Sequence, residues 1–77
     1  MSIQVKFFAS LRERMERPGD EIAAEAVATA ADVWASVAGD TPLPANVLVA
    51  VNQEYVDIEH AVHDGDEVAF FPPVTGG

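Results

Sequence analysis

The chain has 77 residues, of which four are basic and thirteen acidic, so its formal net charge is −9, and it contains no cysteine. This length fits one small domain with little room for a deep active-site cleft. The lack of cysteine excludes disulfides, zinc–thiolate sites and cysteine nucleophiles. All four basic residues lie in the first 17 positions, and eleven acidic residues follow. Nucleic acid and anionic membranes are therefore disfavoured as partners, and the acidity indicates either a basic protein partner or a surface that only aids solubility.

Targeting signals are not evident in the sequence. No apolar run approaches the roughly 18 residues that cross a bilayer, and the opening MSIQVKFF alternates like a strand rather than resembling a signal peptide. Apolar residues make up 49% of the chain, which is enough for a folded core. We therefore expect a folded protein in the cytoplasm.

The first predicted element is a half-buried strand, because Ile3, Val5 and Phe7 alternate with the residues between them. Ser10, three residues before Glu13, predicts a capping box for a short helix that ends at residues 18–19 (Pro-Gly).

Residues 21–27 (EIAAEAV) are compatible with either a strand or a helix by composition. The turn chemistry of the preceding Pro-Gly-Asp favours a second edge strand that pairs with the first.

The main helix is predicted to begin after Thr29 as its N-cap, with Asp32 near the positive end of the helix dipole. Gly39 is its expected end. Four apolar residues at helical spacing form the predicted core stripe: Ala30, Val33, Trp34 and Val37.

The second half of the chain reads as strands. The apolar run at 47–51 predicts a fully buried strand, a short strand follows around 55–56, and residues 67–71 form the last strand after a turn at 64–66. The predicted fold class is therefore α+β, with a mixed sheet of four to five strands and one main helix packed across it.

Strand alternation predicts an aromatic surface. If Phe7 and Phe70 face the helix, Phe8 and Phe71 lie on the opposite face of the sheet, where Tyr55 can join them. An exposed aromatic cluster on a small protein is typical of a partner interface, whereas a one-residue error in strand facing would place these rings in the core. Arg12 is predicted either to pair with an acid on a partner or to be a solvated helix charge.

No catalytic motif is present, so catalytic residues are not expected in this chain. Asp64 and Asp66 flank Gly65 and are best explained by turn chemistry rather than by a metal. His60 and His63 lack an evident third ligand. We predict no metal site.

Three stretches of the sequence carry a resemblance to a known family: VKFFASLRE (5–13), VAVNQEYV (49–56) and DGDEVAFFPPVTGG (64–77). Together with the element order, they resemble the ubiquitin-like β-grasp sulfur carriers, most closely the small subunits of molybdopterin synthase. The region from residue 18 to 46 matches only in pattern. The resemblance implies a β-grasp domain at 1–71 and a flexible tail at 72–77.

The resemblance also implies a chemistry for the tail. An ATP-using partner adenylates Gly77, and sulfur then displaces AMP to leave a thiocarboxylate. Val74, Thr75 and Gly76 complete the arm, in which the glycines let the backbone enter a narrow site and Pro72–Pro73 keep its base extended.

The implied partners are the large synthase subunit, an adenylating enzyme related to the E1 enzymes, and a sulfur donor, in a heterotetramer of two large and two small subunits. No cofactor is expected to be stably bound, and ATP is used by the adenylating partner. Three alternatives stay open. They are a carrier for thiamine synthesis or tRNA thiolation, a ubiquitin-like modifier joined to lysines through Gly77, and a binding module that tolerates a blocked C-terminus.

Overall fold

The computed structural model describes residues 2–39 and 47–72, which form a mixed five-stranded sheet and two α-helices. The sheet order is β2-β1-β5-β3-β4, with β1 and β5 parallel and the other neighbours antiparallel. This arrangement confirms the predicted α+β class. In chain order the elements are β1 (Ser2–Phe7), α1 (Ala9–Met15), β2 (Gly19–Ala23), a 3₁₀ turn (Ala24–Ala26), α2 (Ala30–Ala38), β3 (Leu48–Val51), β4 (Glu54–Val56) and β5 (Glu67–Phe71).

The hydrophobic core lies between α2 and one face of the sheet. Trp34 of α2 packs edge-to-face on Phe70 and Phe7, with ring centroids 5.1 Å and 6.3 Å away. The predicted stripe of α2 and the alternation of β1 are both confirmed by burial. The buried core cluster consists of Ile3, Val5, Phe7, Leu11, Ala30, Val33, Trp34, Val37, Val49, Val51, Val62, Val68 and Phe70.

The ends of α2 follow the sequence prediction. Thr29 Oγ1 accepts a hydrogen bond from the Asp32 amide at 3.3 Å, while Asp32 Oδ2 accepts from the amides of Thr29 and Ala28 at 3.2 and 2.9 Å. This is a capping box that satisfies amides left free by the first turn. Gly39 ends the helix at a positive φ of 60°.

The predicted cap of α1 was wrong. The helix begins at Ala9, its N-cap is Phe8, and Ser10 lies inside the first turn. The sheet sets this start, because the Phe8 amide donates to the Phe70 carbonyl at 3.2 Å while the Phe8 carbonyl accepts from Leu11 at 3.1 Å. The helix ends at Met15, before Pro18–Gly19, because Glu16 adopts a left-handed conformation with φ of 61°.

The strand predicted at 21–27 was placed too late. β2 pairs with β1 as expected, but it begins at Gly19, and its last predicted residues form the 3₁₀ turn. Gly19 faces Lys6 so closely that a Cβ there would collide with the Val5 carbonyl oxygen. Glycine is therefore required by this close approach rather than by a turn.

β3 differs from the predicted fully buried strand. It starts at Leu48, whose side chain is 39% exposed, while its other three residues are buried. Alternation explains the difference, because Val49 and Val51 point toward α2 and Leu48 points to the other face. The short β4, the turn at 64–65 and β5 are confirmed. Within the described ranges, no helix is long and apolar enough to cross a membrane.

Candidate partner-docking face

The face of the sheet opposite α2, called here the helix-free face, carries an aromatic cluster. The rings of Phe8 and Phe71 are stacked, with centroids 4.7 Å apart and planes 7° apart, and Tyr55 lies 5.9 Å from Phe71. Phe8 is 40% exposed and Tyr55 is 70% exposed. The structure thus confirms that these three predicted residues meet outside the core. Their role as a partner interface stays a prediction.

Leu48 extends this apolar surface and was missed by sequence reasoning. It lies opposite Phe71 in the pairing of β3 with β5, so its exposed side chain adjoins the aromatic cluster. The exposure of Leu48 was predictable from strand alternation, because Val49 and Val51 share one face of the strand and Leu48 falls on the other. The continuous apolar run at 47–51 concealed this alternation.

A recess of ≈ 320 Å³ lies beside the cluster and combines apolar walls with polar groups. Lys6 Nζ lies 3.6 Å from Glu67 Oε1, and both side chains are partly exposed. Such a pair contributes little to stability in water, but it places one charge of each sign beside the aromatic rings. The recess is lined by Lys6, Phe8, Ala50, Gln53, Tyr55, Glu67, Ala69 and Phe71.

Arg12 does not line this recess. It lines a second, more open recess of ≈ 490 Å³ together with Lys6, Phe8 and Gly19. Phe8 and Lys6 line both recesses, whereas Arg12 and Asp20 line only the second. In a chain with net charge −9, Arg12 is one of only four basic residues, and its exposed side chain suits an acidic group on a partner.

The basic residue Arg17 has a structural role instead. Its guanidinium donates to the Val37 carbonyl at 2.7 Å, pairs with Asp20 at 3.3 Å and lies over the Phe7 ring, 5.8 Å from the centroid. It thereby ties the β1–β2 connection to the last turn of α2, where a cation is favoured by the helix dipole.

Asp66 lies at the centre of a small hydrogen-bond network at the start of β5. Its carboxylate accepts from Asn52 Nδ2 at 3.0 Å and from the His63 amide at 2.8 Å. The Asn52 hydrogen bond is the largest cause that lowers the pKa of Asp66 below its usual value of 3.8, and partial burial opposes it. Asn52 Oδ1 in turn accepts from the Glu67 amide at 3.0 Å. These bonds join the β3–β4 turn to the start of β5.

The other predicted site residues belong to the C-terminal tail of the sequence. Val74, Thr75, Gly76 and Gly77, and with them most of the predicted tail at 72–77, lie outside the described residues, and their roles stay predictions. His60 and His63 are exposed. In the described part of the chain, no group of three or more His, Asp or Glu residues is placed to hold a metal ion.

A mixed five-stranded sheet whose first and last strands pair in parallel, with one main helix packed across it, defines a ubiquitin-like β-grasp domain. Solved structures agree. SAMP1, a small archaeal modifier protein from Haloferax volcanii, matches with a TM-score of 0.82 at 29% identity, with all of both chains covered. The complex of subunits 1 and 2 of molybdopterin-converting factor from Helicobacter pylori contains a chain that matches with a TM-score of 0.68 at 21% identity, again with full coverage of both.

The chain belongs to the ThiS family, whose model matches residues 5–77. It is 44% identical to the molybdopterin synthase sulfur carrier subunit of Escherichia coli (strain K12), with 97% of this chain and 99% of the relative covered. The resemblance seen in the sequence is thereby confirmed.

Proposed function

We propose that this chain is the sulfur carrier subunit of a cytoplasmic molybdopterin synthase and that its reactive group is the carboxylate of Gly77. One observation carries the proposal: the 44% identity to a protein of that name over nearly the full length of both chains. The family match includes residues 76 and 77, so the glycine pair lies within the matched region.

The chemistry begins with activation, because a carboxylate oxygen is a poor leaving group. The Gly77 carboxylate attacks the α-phosphate of ATP on an adenylating partner, which gives an acyl adenylate and releases pyrophosphate. A sulfide-level donor then attacks the carbonyl carbon and AMP leaves with the electron pair, so a thiocarboxylate remains. Both reactants meet on the partner, which supplies the catalytic groups.

The carrier delivers this sulfur to a cyclic pyranopterin precursor held by the large subunit. Two carriers are needed for each product, because the dithiolene contains two sulfur atoms, which fits a heterotetramer of two large and two small subunits. The Helicobacter pylori structure is described as a complex of subunits 1 and 2 of molybdopterin-converting factor, which supports a large-subunit partner for this chain.

Docking is assigned to the helix-free face. Phe8, Phe71 and Tyr55 supply exposed aromatic area, the kind of surface that dominates binding energy at protein interfaces. Arg12 supplies a cation beside it for an acid on the partner. The adenylating enzyme and the large subunit would use this same face in turn, since both must receive the same tail.

The test is direct conversion of the C-terminus. The untagged chain, incubated with its adenylating enzyme, ATP and a sulfide donor, should gain the mass of one oxygen-to-sulfur exchange, located on Gly77 by fragmentation. Omission of ATP is the matched control and should leave the mass unchanged. Adding the large subunit and the precursor should then form the dithiolene and return the carboxylate. An unmodified chain in the complete mixture would refute the proposal.

A second candidate is a protein modifier joined to lysines through Gly77, which the structural match to a small archaeal modifier protein favours. Both functions start from the same adenylate, and the attacking group separates them. Sulfide gives a thiocarboxylate, whereas a lysine amine gives an isopeptide bond. Immunoblots of cells that express the chain should show free chain for a carrier and a ladder of conjugates for a modifier.

A further inference from the structure

The turn between β3 and β4 contains a backbone feature that the fold alone does not require. Val51 pairs with Glu54, so the loop has only two residues, Asn52 and Gln53. Their φ angles are 52° and 71°. Two positive φ angles are typical of a type I′ hairpin turn, which favours Asn followed by Gly. Glutamine therefore stands at a position where glycine is the ordinary residue.

The first residue of this turn is explained by its contacts. Asparagine tolerates the left-handed region better than most residues. The Asn52 side chain also bonds to Asp66 and to the Glu67 amide, both at 3.0 Å.

Among the residues that the structure describes, no contact gives a comparable reason for the second residue. Gln53 is exposed, and its side chain makes no hydrogen bond with residues 2–39 or 47–72. A long straight side chain gains nothing from a left-handed backbone and carries its strain.

The position of Gln53 indicates that its side chain contacts another protein. It lines the 320 Å³ recess of the helix-free face together with Phe8, Tyr55 and Phe71. Strained non-glycine residues persist where the surrounding structure fixes them, as Glu16 does at the end of α1, and they also cluster at ligand-binding sites. Gln53 thus lies, with Lys6 and Glu67, among the polar groups of a recess that also has aromatic walls, and such a mixture is common at protein interfaces.

We propose that Gln53 is a specificity-determining contact of the docking face. Its carboxamide both donates and accepts, as does a peptide group. The occupant it fits is therefore a segment of the large synthase subunit that seats an apolar side chain among Phe8, Tyr55 and Phe71 and presents a backbone peptide to Gln53. This inference rests on the proposed function, because it assumes that the large subunit docks on this face.

The distinguishing signature is that stability and affinity move in opposite directions. Gln53→Gly removes the backbone strain, so the Tm of the free chain should rise by about 4 °C. It also removes the carboxamide, so the Kd for the large subunit, measured by calorimetry with the full chain, should rise roughly three- to tenfold, the range for one lost hydrogen bond. An unchanged Kd would overturn the proposal.

A second variant separates the carboxamide from loop rigidity. Gln53→Asn keeps an amide and a residue that tolerates positive φ, but the side chain is one methylene shorter. We expect a Tm at or above that of the wild type and a Kd at least about threefold higher, because the shorter amide does not reach the partner. Wild-type affinity in the Asn variant with weak binding in the Gly variant would assign the effect to rigidity and overturn the proposal.

Phe71→Glu in the same titration distinguishes a failure of the Gln53 contact from a failure of the docking face as a whole. If Phe71→Glu weakens binding and Gln53→Gly does not, the contact assigned to Gln53 is wrong and the docking face stands. If neither weakens binding, the docking face itself is wrong.

Discussion

The rings of Phe8 and Phe71 stack face to face, 4.7 Å between centroids, although one follows the first strand and the other ends the last. The cause is the parallel pairing of β1 with β5, in which Phe7 lies opposite Phe70. Those two rings enter the core, so the next residue of each chain segment turns to the helix-free face. One pairing register thus sets both an interior aromatic contact and an exterior one.

The exterior pair predicts a separation of binding from folding. Phe71→Glu places a charge in the centre of the exposed cluster, where a buried interface aromatic often contributes about 2 kcal/mol or more, so the affinity for the large subunit should fall at least about 30-fold. The domain should stay folded, because Phe70 and not Phe71 fills the core. Calorimetry and thermal unfolding provide the two measurements.

The matched control is Ala35→Glu, which adds the same charge to an exposed position of α2 on the opposite side of the sheet. It should leave the affinity unchanged. Global unfolding of Phe71→Glu would instead show that the Phe71 ring stabilises the core. The helix-free face would then lose its support as the docking surface.

The capping box of α2 predicts a local loss of stability. Thr29→Ala deletes the oxygen that accepts from the Asp32 amide, and a lost cap of this kind costs about 1 kcal/mol. For a chain of this length the Tm should fall by about 4–8 °C. Ser36→Ala, an exposed substitution within the same helix, should not lower the Tm. Equal behaviour of the two variants would show that the cap contributes nothing to stability.

The Asp66 carboxylate predicts an acid-dependent loss of stability. The Asn52 hydrogen bond lowers its pKa in the folded state below the usual 3.8. The native state therefore favours the ionised form, and this stabilisation is fully present above about pH 3.8 and is lost as the pH falls through the lowered value. Asp66→Asn should be less stable than the wild type at neutral pH, because its amide cannot accept all the bonds that the carboxylate accepts.

Denaturant unfolding between pH 2.5 and 7 measures this effect. The difference in unfolding free energy between the wild type and Asp66→Asn should be present at pH 5 and should shrink as the pH falls below 4. A difference that stays constant down to pH 2.5 would mean that Asp66 titrates alike in the folded and unfolded chains.

Sequence reasoning succeeded where local rules decide the structure. Thr29 is the N-cap of α2 as predicted, and the alternation of Ile3, Val5 and Phe7 fixes which face of β1 is buried. The aromatic pair on the helix-free face followed from the same alternation.

Predictions from local sequence failed where residues distant in the chain determine the structure. Ser10 and Glu13 have the spacing of a capping box, yet α1 starts earlier because the Phe8 amide is held by Phe70 on another strand. Gly19 looks like a turn residue, and only the closeness of the Val5 carbonyl shows why a glycine stands there. Gln53 borders the helix-free face through the pairing of β3 with its neighbours, which no local pattern encodes.

The length of the C-terminal arm is expected to control sulfur transfer but not partner binding. Deletion of Gly77 leaves the helix-free face intact, so the shortened chain should bind the large subunit and the adenylating enzyme with an affinity close to that of the wild type. Under the proposed mechanism, its carboxylate would fall roughly 3.5 Å short of the reacting centre, and misplacement on that scale costs about a hundredfold in rate. Thiocarboxylate formation, followed by intact mass, should therefore be slowed at least to that extent.

Addition of one alanine after Gly77 tests the same requirement from the other side. The carboxylate moves past the reacting centre, and the added methyl group enters a path suited to glycine. We expect wild-type affinity and a comparable loss of rate, so that binding and transfer separate in both variants. Dithiolene formation at the full rate by either variant would show that the Gly77 carboxylate is not the group that carries sulfur.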